Sequence, residues 1–134
     1  MPVEVVNDSS GTILALLITS TGEFPSGHNF LTMESDPLQF AVFNHPSGHQ
    51  IQRHWHPPVK RELTNTSEVL VIQSGRVSVS IYDAKLSLVL VRELTSMDVA
   101  VLFSGGHGFE ILEDATILEV KQGPYVGIND KKLF

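Results

Sequence analysis

The sequence predicts an all-β protein whose short strands form a sandwich or a barrel. β-prone runs of five to eight residues recur along the chain, and Gly, Pro, Asn, Asp or Ser separates most of them. No stretch shows the apolar period of a long amphipathic helix. The run at 76–83, RVSVSIYD, alternates strictly and places Val77, Val79 and Ile81 on one face, as in a half-buried strand. Short strands at nearly regular spacing are typical of antiparallel sandwiches and barrels rather than of a parallel βαβ sheet.

The predicted strands follow one another from residue 12 to residue 121. In chain order they are TILALLI (12–18), LQFAVF (38–43), HQIQRHWH (49–56), EVLVIQ (68–73), RVSVSIYD (76–83), SLVLVREL (87–94), VAVLF (99–103), GFEIL (108–112) and TILEVK (116–121). Ser74-Gly75 predicts a hairpin turn between two of them, because glycine adopts positive φ at little cost. The stretch 20–37, rich in Ser, Thr, Gly and Pro, predicts a loop with a short turn or helix. After the Gly-Pro turn we expect an irregular tail with Phe134 docked.

Length, charge and cysteine content restrict the class of protein. The 134 residues fit one domain, 1–134, and the absence of cysteine leaves only nitrogen and oxygen ligands for a metal. A formal charge of -6 argues against nucleic acid as a partner, because phosphate binding needs a basic surface. The first residues lack the basic start of a signal peptide, and the longest apolar run, ILALLI, is too short for a membrane span. We therefore expect a soluble cytoplasmic protein with no membrane partner.

The predicted strand 49–56 has an unusual polar face. Alternate residues of an extended strand project from the same side. That side would carry Gln50, Gln52, His54 and His56. Ile51 and Trp55 would face the other way. Such a face suits a wet or metal-filled cavity, whereas a chance pair of exposed histidines is the simpler alternative.

Five residues of this part of the chain resemble the first motif of the cupin family. The motif has a glycine, five residues, HxH, a short gap, a glutamate, six residues and a glycine, and the matching residues are Gly48, His54, His56, Glu68 and Gly75. The gap before the glutamate is longer here than in the family, so Glu62 is the alternative to Glu68. We favour Glu68 because it opens an apolar strand that ends six residues later in glycine.

The second cupin motif is matched less closely by MDVAVLFSGGHGFEI. Gly105 and His107 fit, whereas Asp98 follows a methionine where the family usually has glycine, and Phe103 stands in place of a proline. The resemblance covers about residues 38–121, and the whole run is similar to small bacterial cupins of unassigned activity. It implies a double-stranded β-helix, the jelly-roll barrel of that family.

The resemblance also implies a metal site and a class of activity. Its ligands would be His54, His56, Glu68 and His107. Three imidazoles and one carboxylate suit one divalent transition metal, namely Fe, Mn, Ni, Cu or Zn, and leave positions open for water or substrate. Gln50, Gln52 and Tyr125 are the candidates for contact with substrate. The remaining histidines, His28, His45 and His49, show no partner pattern.

The function expected from this resemblance is that of a metal-dependent oxygenase, isomerase or lyase acting on a small polar molecule. The alternatives are a binding module for a sugar or another small ligand and a metal-free, epimerase-like cupin with a histidine as base. Acyl and phosphoryl transfer are disfavoured, because the chain has no cysteine, no GxSxG and no P-loop. A homodimer is expected, since small cupins often pair through sheet edges and Ile51 and Trp55 need a cover.

Overall fold

A computed structural model of the chain describes residues 2–134 and confirms the all-β prediction. The described residues form eight strands: β1 (Val3–Asn7), β2 (Ile13–Ile18), β3 (Gly27–Phe30), β4 (Ala41–Asn44), β5 (Glu68–Tyr82), β6 (Leu88–Thr95), β7 (Val99–Leu102) and β8 (Gly106–Lys121). Their helical content is a single 3₁₀ turn, Gly127–Asn129. No helix among these residues has the length and apolar character needed to cross a membrane.

Six of the strands form one antiparallel sheet organised around β5. The hydrogen-bonded order is β1-β2-β7-β5-β6, and β8 also pairs with β5. β7 pairs with the first residues of β5 and β6 with the last ones, so both lie along one edge. β8 follows the other edge from Glu68 to Tyr82. β3 and β4 form a separate two-stranded sheet.

The sheet curls strongly into a half-barrel, consistent with the expected β-barrel or jelly-roll class. The pairing of β5 with β8 is irregular between Ile72 and Val77. Gly75 lies in this irregular stretch with φ of 88°. A Cβ at this position would clash with the backbone carbonyl of Asp114, so the close approach of β8 requires glycine. The bend in β5 therefore depends on a bulge at Gly75.

The predicted hairpin at Ser74-Gly75 is wrong, because β5 runs through it as one strand from Glu68 to Tyr82. Positive φ serves a bulge as well as a turn, so glycine alone did not distinguish the two. In the same way, the runs 108–112 and 116–121 belong to one strand, β8.

The predicted strand at 49–56 is also wrong, because no residue from 45 to 67 lies in a strand. Ile51 and Trp55 remain exposed, with 49% and 75% of their surface accessible. A strand needs a hydrogen-bonding neighbour, and among the described residues this stretch has none. Conversely, β1 and β3 were missed, and β3 lies within the predicted loop 20–37.

The core consists of two apolar clusters, one on each face of the sheet. The larger cluster includes Leu70 and Ile72 from the first part of β5 and Val77, Val79 and Ile81 from the second. The smaller cluster contains Leu16, Ile18, Val101 and Phe103. Four apolar residues from the 20–40 region pack against the smaller cluster: Phe24, Leu31, Leu38 and Phe40. This region therefore covers one face of the sheet. The functional site described below lies outside it.

An ion pair joins the two ends of the sheet order. Arg92 on β6 contacts Glu4 on β1, with 2.9 Å between Nη2 and Oε1 and 3.0 Å between Nε and Oε2. β1 and β6 are four places apart in the hydrogen-bonded order, so this contact across the gap follows from the curl.

Candidate functional site

A pocket of about 790 Å³ opens where the two ends of β5 approach each other. Both Glu68, the first residue of β5, and Tyr82, the last, line it. A flat strand of this length would separate its ends by about 45 Å at roughly 3.3 Å per residue. The bend of β5 brings both ends to one pocket, so the site depends on the curl of the sheet.

The polar centre of the pocket is the pair formed by Glu68 and His107. Glu68 Oε2 lies 3.0 Å from His107 Nε2, and only 14% of the Glu68 side chain is exposed. His107 sits on β8 opposite Ile81, near the far end of β5 from Glu68. The hydrogen bond from His107 lowers the pKa of Glu68 below its ordinary value, and the charges of His107 and Lys121 act in the same direction. Burial opposes these effects, and the net result is a carboxylate held in its charged form.

The C-terminal tail closes one side of the pocket. Lys121, which pairs with Glu68 across β5 and β8, binds Asp130 with 2.7 Å between Nζ and Oδ2. This contact is the main reason that the pKa of Asp130 is lowered and that of Lys121 raised. Farther along, the Phe134 ring packs edge-on against Tyr82, with 5.0 Å between ring centroids. Phe134 therefore contacts the pocket wall on one side, but 65% of its surface is exposed, so the expected docking is only partial.

Close packing at the start of β8 explains the glycines of the GGHG sequence. A Cβ on Gly106 would lie 2.7 Å from the Phe134 ring, and a Cβ on Gly105, which has φ of 72°, would clash with the carbonyl of Tyr82. The two glycines let β8 start against the end of β5 and place His107 at the pocket wall. Gly105 is therefore a structural requirement of the site, Gly106 gives room to the Phe134 ring, and Gly108 faces open space.

The structure does not bring the other predicted ligands to this pocket. His54 and His56 lie in the exposed stretch, with their rings edge-to-face and 5.2 Å between centroids. His54 Nδ1 contacts the backbone oxygen of Gln52 at 2.9 Å. Glu62, the alternative carboxylate, is exposed and pairs with Lys60 at 3.4 Å. Of the four proposed ligands, the structure joins Glu68 and His107 only.

The residues suggested for substrate contact also lie outside the lining. Gln50 and Gln52 are exposed in the irregular stretch, and neither lines the pocket. Tyr125 is exposed beside the tail, where Lys121 Nζ lies 5.9 Å from the centroid of its ring. The residues that do line the pocket include Tyr82 and Phe109, which the sequence had not singled out, together with Phe103 and Phe134.

The donor groups as placed do not fit a metal ion. Among residues 2–134, no group of three or more His, Cys, Asp or Glu side chains is arranged to hold one. Glu68 and His107 would supply two donors, whereas transition-metal sites in proteins generally use at least three. We therefore derive no chemical step through a metal.

A second group of histidines, with no partner pattern in the sequence, lies on the β3–β4 sheet. His28 stacks on Phe43 with 4.0 Å between centroids, and His45 stacks on His49 at 3.8 Å. His45 Nε2 is buried and has no hydrogen-bond partner within residues 2–134. Burial lowers the pKa of His45, and the neighbouring His49 and His28 lower it further. The rings of His45 and His49 are parallel to within 3°, which is a packing arrangement and not a chelating one.

The pairing of β3 with β4 brings this group together, because it places His28 opposite Phe43. Only recognition of both short strands in the sequence could have predicted this group of histidines. No periodic pattern marks these strands in the sequence, since each has only four residues.

Comparisons of the chain with protein-family models, with curated proteins and with solved structures found no match. The resemblance to cupins therefore rests on motif spacing.

Proposed function

We propose that the protein binds a small polar molecule in this pocket and that His107, held by Glu68, acts on it as a base. The supporting observation is the 3.0 Å distance between His107 Nε2 and Glu68 Oε2 at the pocket wall. A carboxylate that accepts the Nε2 proton fixes the orientation and the tautomer of the ring. The other ring nitrogen, Nδ1, is then unprotonated and can accept a proton.

This arrangement suits proton transfer at carbon or at a hydroxyl group, which is the chemistry of isomerases and lyases. Glu68 stabilises the imidazolium that forms when His107 takes a proton, because its lowered pKa keeps it charged. The proposal corresponds to the metal-free, epimerase-like alternative named from the sequence.

The experiment is a ligand-observed NMR screen of small hydroxy acids, keto acids and sugars, followed by incubation of each hit in D₂O. We expect at least one hit to exchange a carbon-bound proton for deuterium in the presence of the wild type. His107→Gln should abolish the exchange, and Glu68→Gln should slow it by about 10- to 100-fold, as expected for loss of an orienting group. The matched control His54→Gln should leave it unchanged.

Two outcomes would contradict the proposal in different ways. Binding that depends on His107, without exchange of any proton, would indicate a non-catalytic binding module. Exchange that survives in His107→Gln would show that this histidine is not the base.

We keep the metal-dependent cupin as a second proposal, since two of its four ligands are already adjacent at 3.0 Å. It requires the exposed stretch 49–56 to move His54 and His56 to the pocket. Elemental analysis after dialysis against Fe, Mn, Ni, Cu or Zn salts tests it directly. Retention of one ion per chain that is lost both in His54→Ala/His56→Ala and in Glu68→Gln would support it. Retention that Glu62→Gln abolishes and Glu68→Gln preserves would make Glu62 the carboxylate ligand.

A further inference from the structure

Some of the charged side chains around the pocket have a close polar partner, and others have none. Glu68 pairs with His107 at 3.0 Å, and Asp130 pairs with Lys121 at 2.7 Å. Two further charged residues of the lining, Lys131 and Lys132, form no ion pair within residues 2–134. With His107 neutral, Glu68 and Asp130 contribute two negative charges, and Lys121, Lys131 and Lys132 contribute three positive charges. The net charge at the pocket is therefore +1, although the chain as a whole carries a formal charge of -6.

The two lysines are held at the pocket by anchors on both sides. Asp130, directly before them, binds Lys121 and keeps only 7% of its side chain exposed. Phe134, two residues after Lys132, packs against Tyr82 and Gly106. The backbone of 131–132 is thus fixed at the rim, whereas the ammonium groups stay in solvent as expected for lysine.

The rest of the lining has a polar and an apolar part. The polar part consists of Thr64, Asn65, Thr66 and Ser104, and the apolar part consists of Leu86, Phe109, Leu133 and Phe134. Phe103 also borders the pocket, but it is only 2% exposed and belongs to the smaller core cluster. An apolar wall with a few polar groups and a charge at the rim is the usual form of a small-molecule site. Aromatic walls favour a flat apolar body, and unpaired lysines favour an anionic group at the opposite end of the ligand.

We propose that the ligand of this pocket is an organic anion: a flat or cyclic body against the phenylalanine rings, with a carboxylate or phosphate directed toward Lys131 and Lys132. The inference rests on the proposed ligand pocket and narrows its substrate class. It favours an anion over a neutral sugar, because only an anion is attracted by the charge of the two ammonium groups. Lysine is a point charge that does not distinguish carboxylate from phosphate by geometry, so the two sources are separated by experiment.

The test uses three probes with one ring system: 1-naphthyl phosphate, 1-naphthoate and the neutral 1-naphthamide. Their affinities are measured at low ionic strength by titration of the amide NMR signals of residues 104–109. We expect both anions to bind about tenfold more tightly than naphthamide, because each exposed lysine should raise the affinity for an anion about two- to fivefold. Naphthyl phosphate should bind more tightly than naphthoate if the pocket favours a dianion. The two should bind equally if one negative charge on the ligand is enough.

Lys131→Gln/Lys132→Gln should remove the preference for the anions and leave the affinity for naphthamide unchanged. The matched control is Lys60→Gln/Arg61→Gln, which lowers the net charge by the same amount outside the pocket lining. The control should keep the preference, and added salt should weaken it in both the wild type and the control.

Each contrary result has its own meaning. If naphthamide binds as tightly as the anions, the pocket stands and the anion proposal is wrong. If the control loses the preference as fully as Lys131→Gln/Lys132→Gln does, the effect is one of net charge and the proposal is wrong. If no probe shifts these amides, the proposed class of ligand is wrong, whereas the proposed function is tested separately by the proton-exchange experiment.

Discussion

The strands around β5 and the exposed stretch 45–67 differ in what lies behind their apolar side chains. Val77, Val79 and Ile81 of β5 alternate with polar residues and are buried against strands on both edges. Ile51 and Trp55 would share one face of a strand with Arg53 between them, yet they are exposed and their backbone has no strand neighbour within the described chain. An alternating sequence makes one face apolar, but a strand forms only where a sheet edge and a core can receive it.

The same contrast applies to the histidines. His107 is fixed by a carboxylate at a pocket, whereas His54 contacts only a nearby backbone oxygen and its neighbour His56. Burial and a charged partner are what give a histidine a defined tautomer and direction. We therefore assign the chemistry to the curled sheet and not to the stretch with the more conspicuous sequence motif.

The largest expected effect separates two isoleucines in these regions. Ile72 is 0% exposed and Ile51 is 49% exposed. We expect Ile72→Ala to lower the free energy of unfolding by about 3 kcal/mol, because it leaves a cavity in the core. Ile51→Ala should cost less than about 1 kcal/mol. Urea denaturation followed by circular dichroism measures both.

A dependence on protein concentration would sharpen this result. If Ile51→Ala becomes more costly as concentration rises, Ile51 lies in an interface, as the homodimer expected from the sequence requires. Sedimentation of the wild type would then show the dimer directly. Equal costs for both variants at low concentration would contradict the contrast.

The second effect compares the two glycines at the ends of the first motif. Gly75 and Gly48 both have positive φ, 88° and 89°, but only Gly75 faces backbone atoms that a Cβ would strike. Gly48→Ala should cost about 1 kcal/mol from backbone strain alone, and Gly75→Ala about 2–4 kcal/mol from strain plus the clash with β8. Thermal unfolding of the two variants distinguishes the costs. Similar losses of stability would mean that the bulge at Gly75 is not a tight constraint.

The third effect is the acid dependence of the Glu68 pair. Because the pKa of Glu68 is lowered on folding, its stabilising contribution is present above its ordinary pKa and is lost as pH falls through and below that value. Glu68→Gln should remove about 0.5–1 kcal/mol at pH 7, after screening by solvent, and flatten the acid limb of the stability curve. Glu62→Gln is the matched control and should change neither. Stability is measured by urea denaturation between about pH 3 and pH 7.

The smallest effect concerns the histidine stack on β3 and β4. The pKa of His45 is lowered on folding, so the unfolded chain binds more protons than the folded chain as pH falls below about 6.5. Stability should therefore decrease between about pH 6.5 and pH 5.5. His45→Gln should reduce this dependence, and the exposed His56→Gln should not. An NMR titration in which His45 has the highest pKa of the three clustered histidines would contradict this explanation.

Much of the fold could be predicted from the sequence, and what could not has identifiable causes. Strict alternation predicted the second half of β5, and the last two residues of the motif, Glu68 and Gly75, mark the start and the bulge of that strand. The sequence could not distinguish a bulge from a turn at Gly75, since both use the same φ. The sequence also does not show whether a neighbouring strand is available to pair with residues 49–56.

The site was predicted in part. Glu68 and His107 were both named, and the structure places them 3.0 Å apart. Tyr82, Lys131 and Lys132 were not named, because the bend of β5 and the return of the tail bring them to the pocket from distant parts of the chain. Such contacts depend on the curl of the sheet, which leaves no local pattern in the sequence.

The most direct measurement is the binding footprint of 1-naphthyl phosphate on the ¹H–¹⁵N spectrum of the wild type, His107→Gln and His54→Gln/His56→Gln. Our account predicts saturable shifts at Gly106, His107 and Gly108, weaker binding in His107→Gln and unchanged binding in the double variant. Shifts confined to residues 49–56, with binding lost in the double variant and kept in His107→Gln, would contradict it.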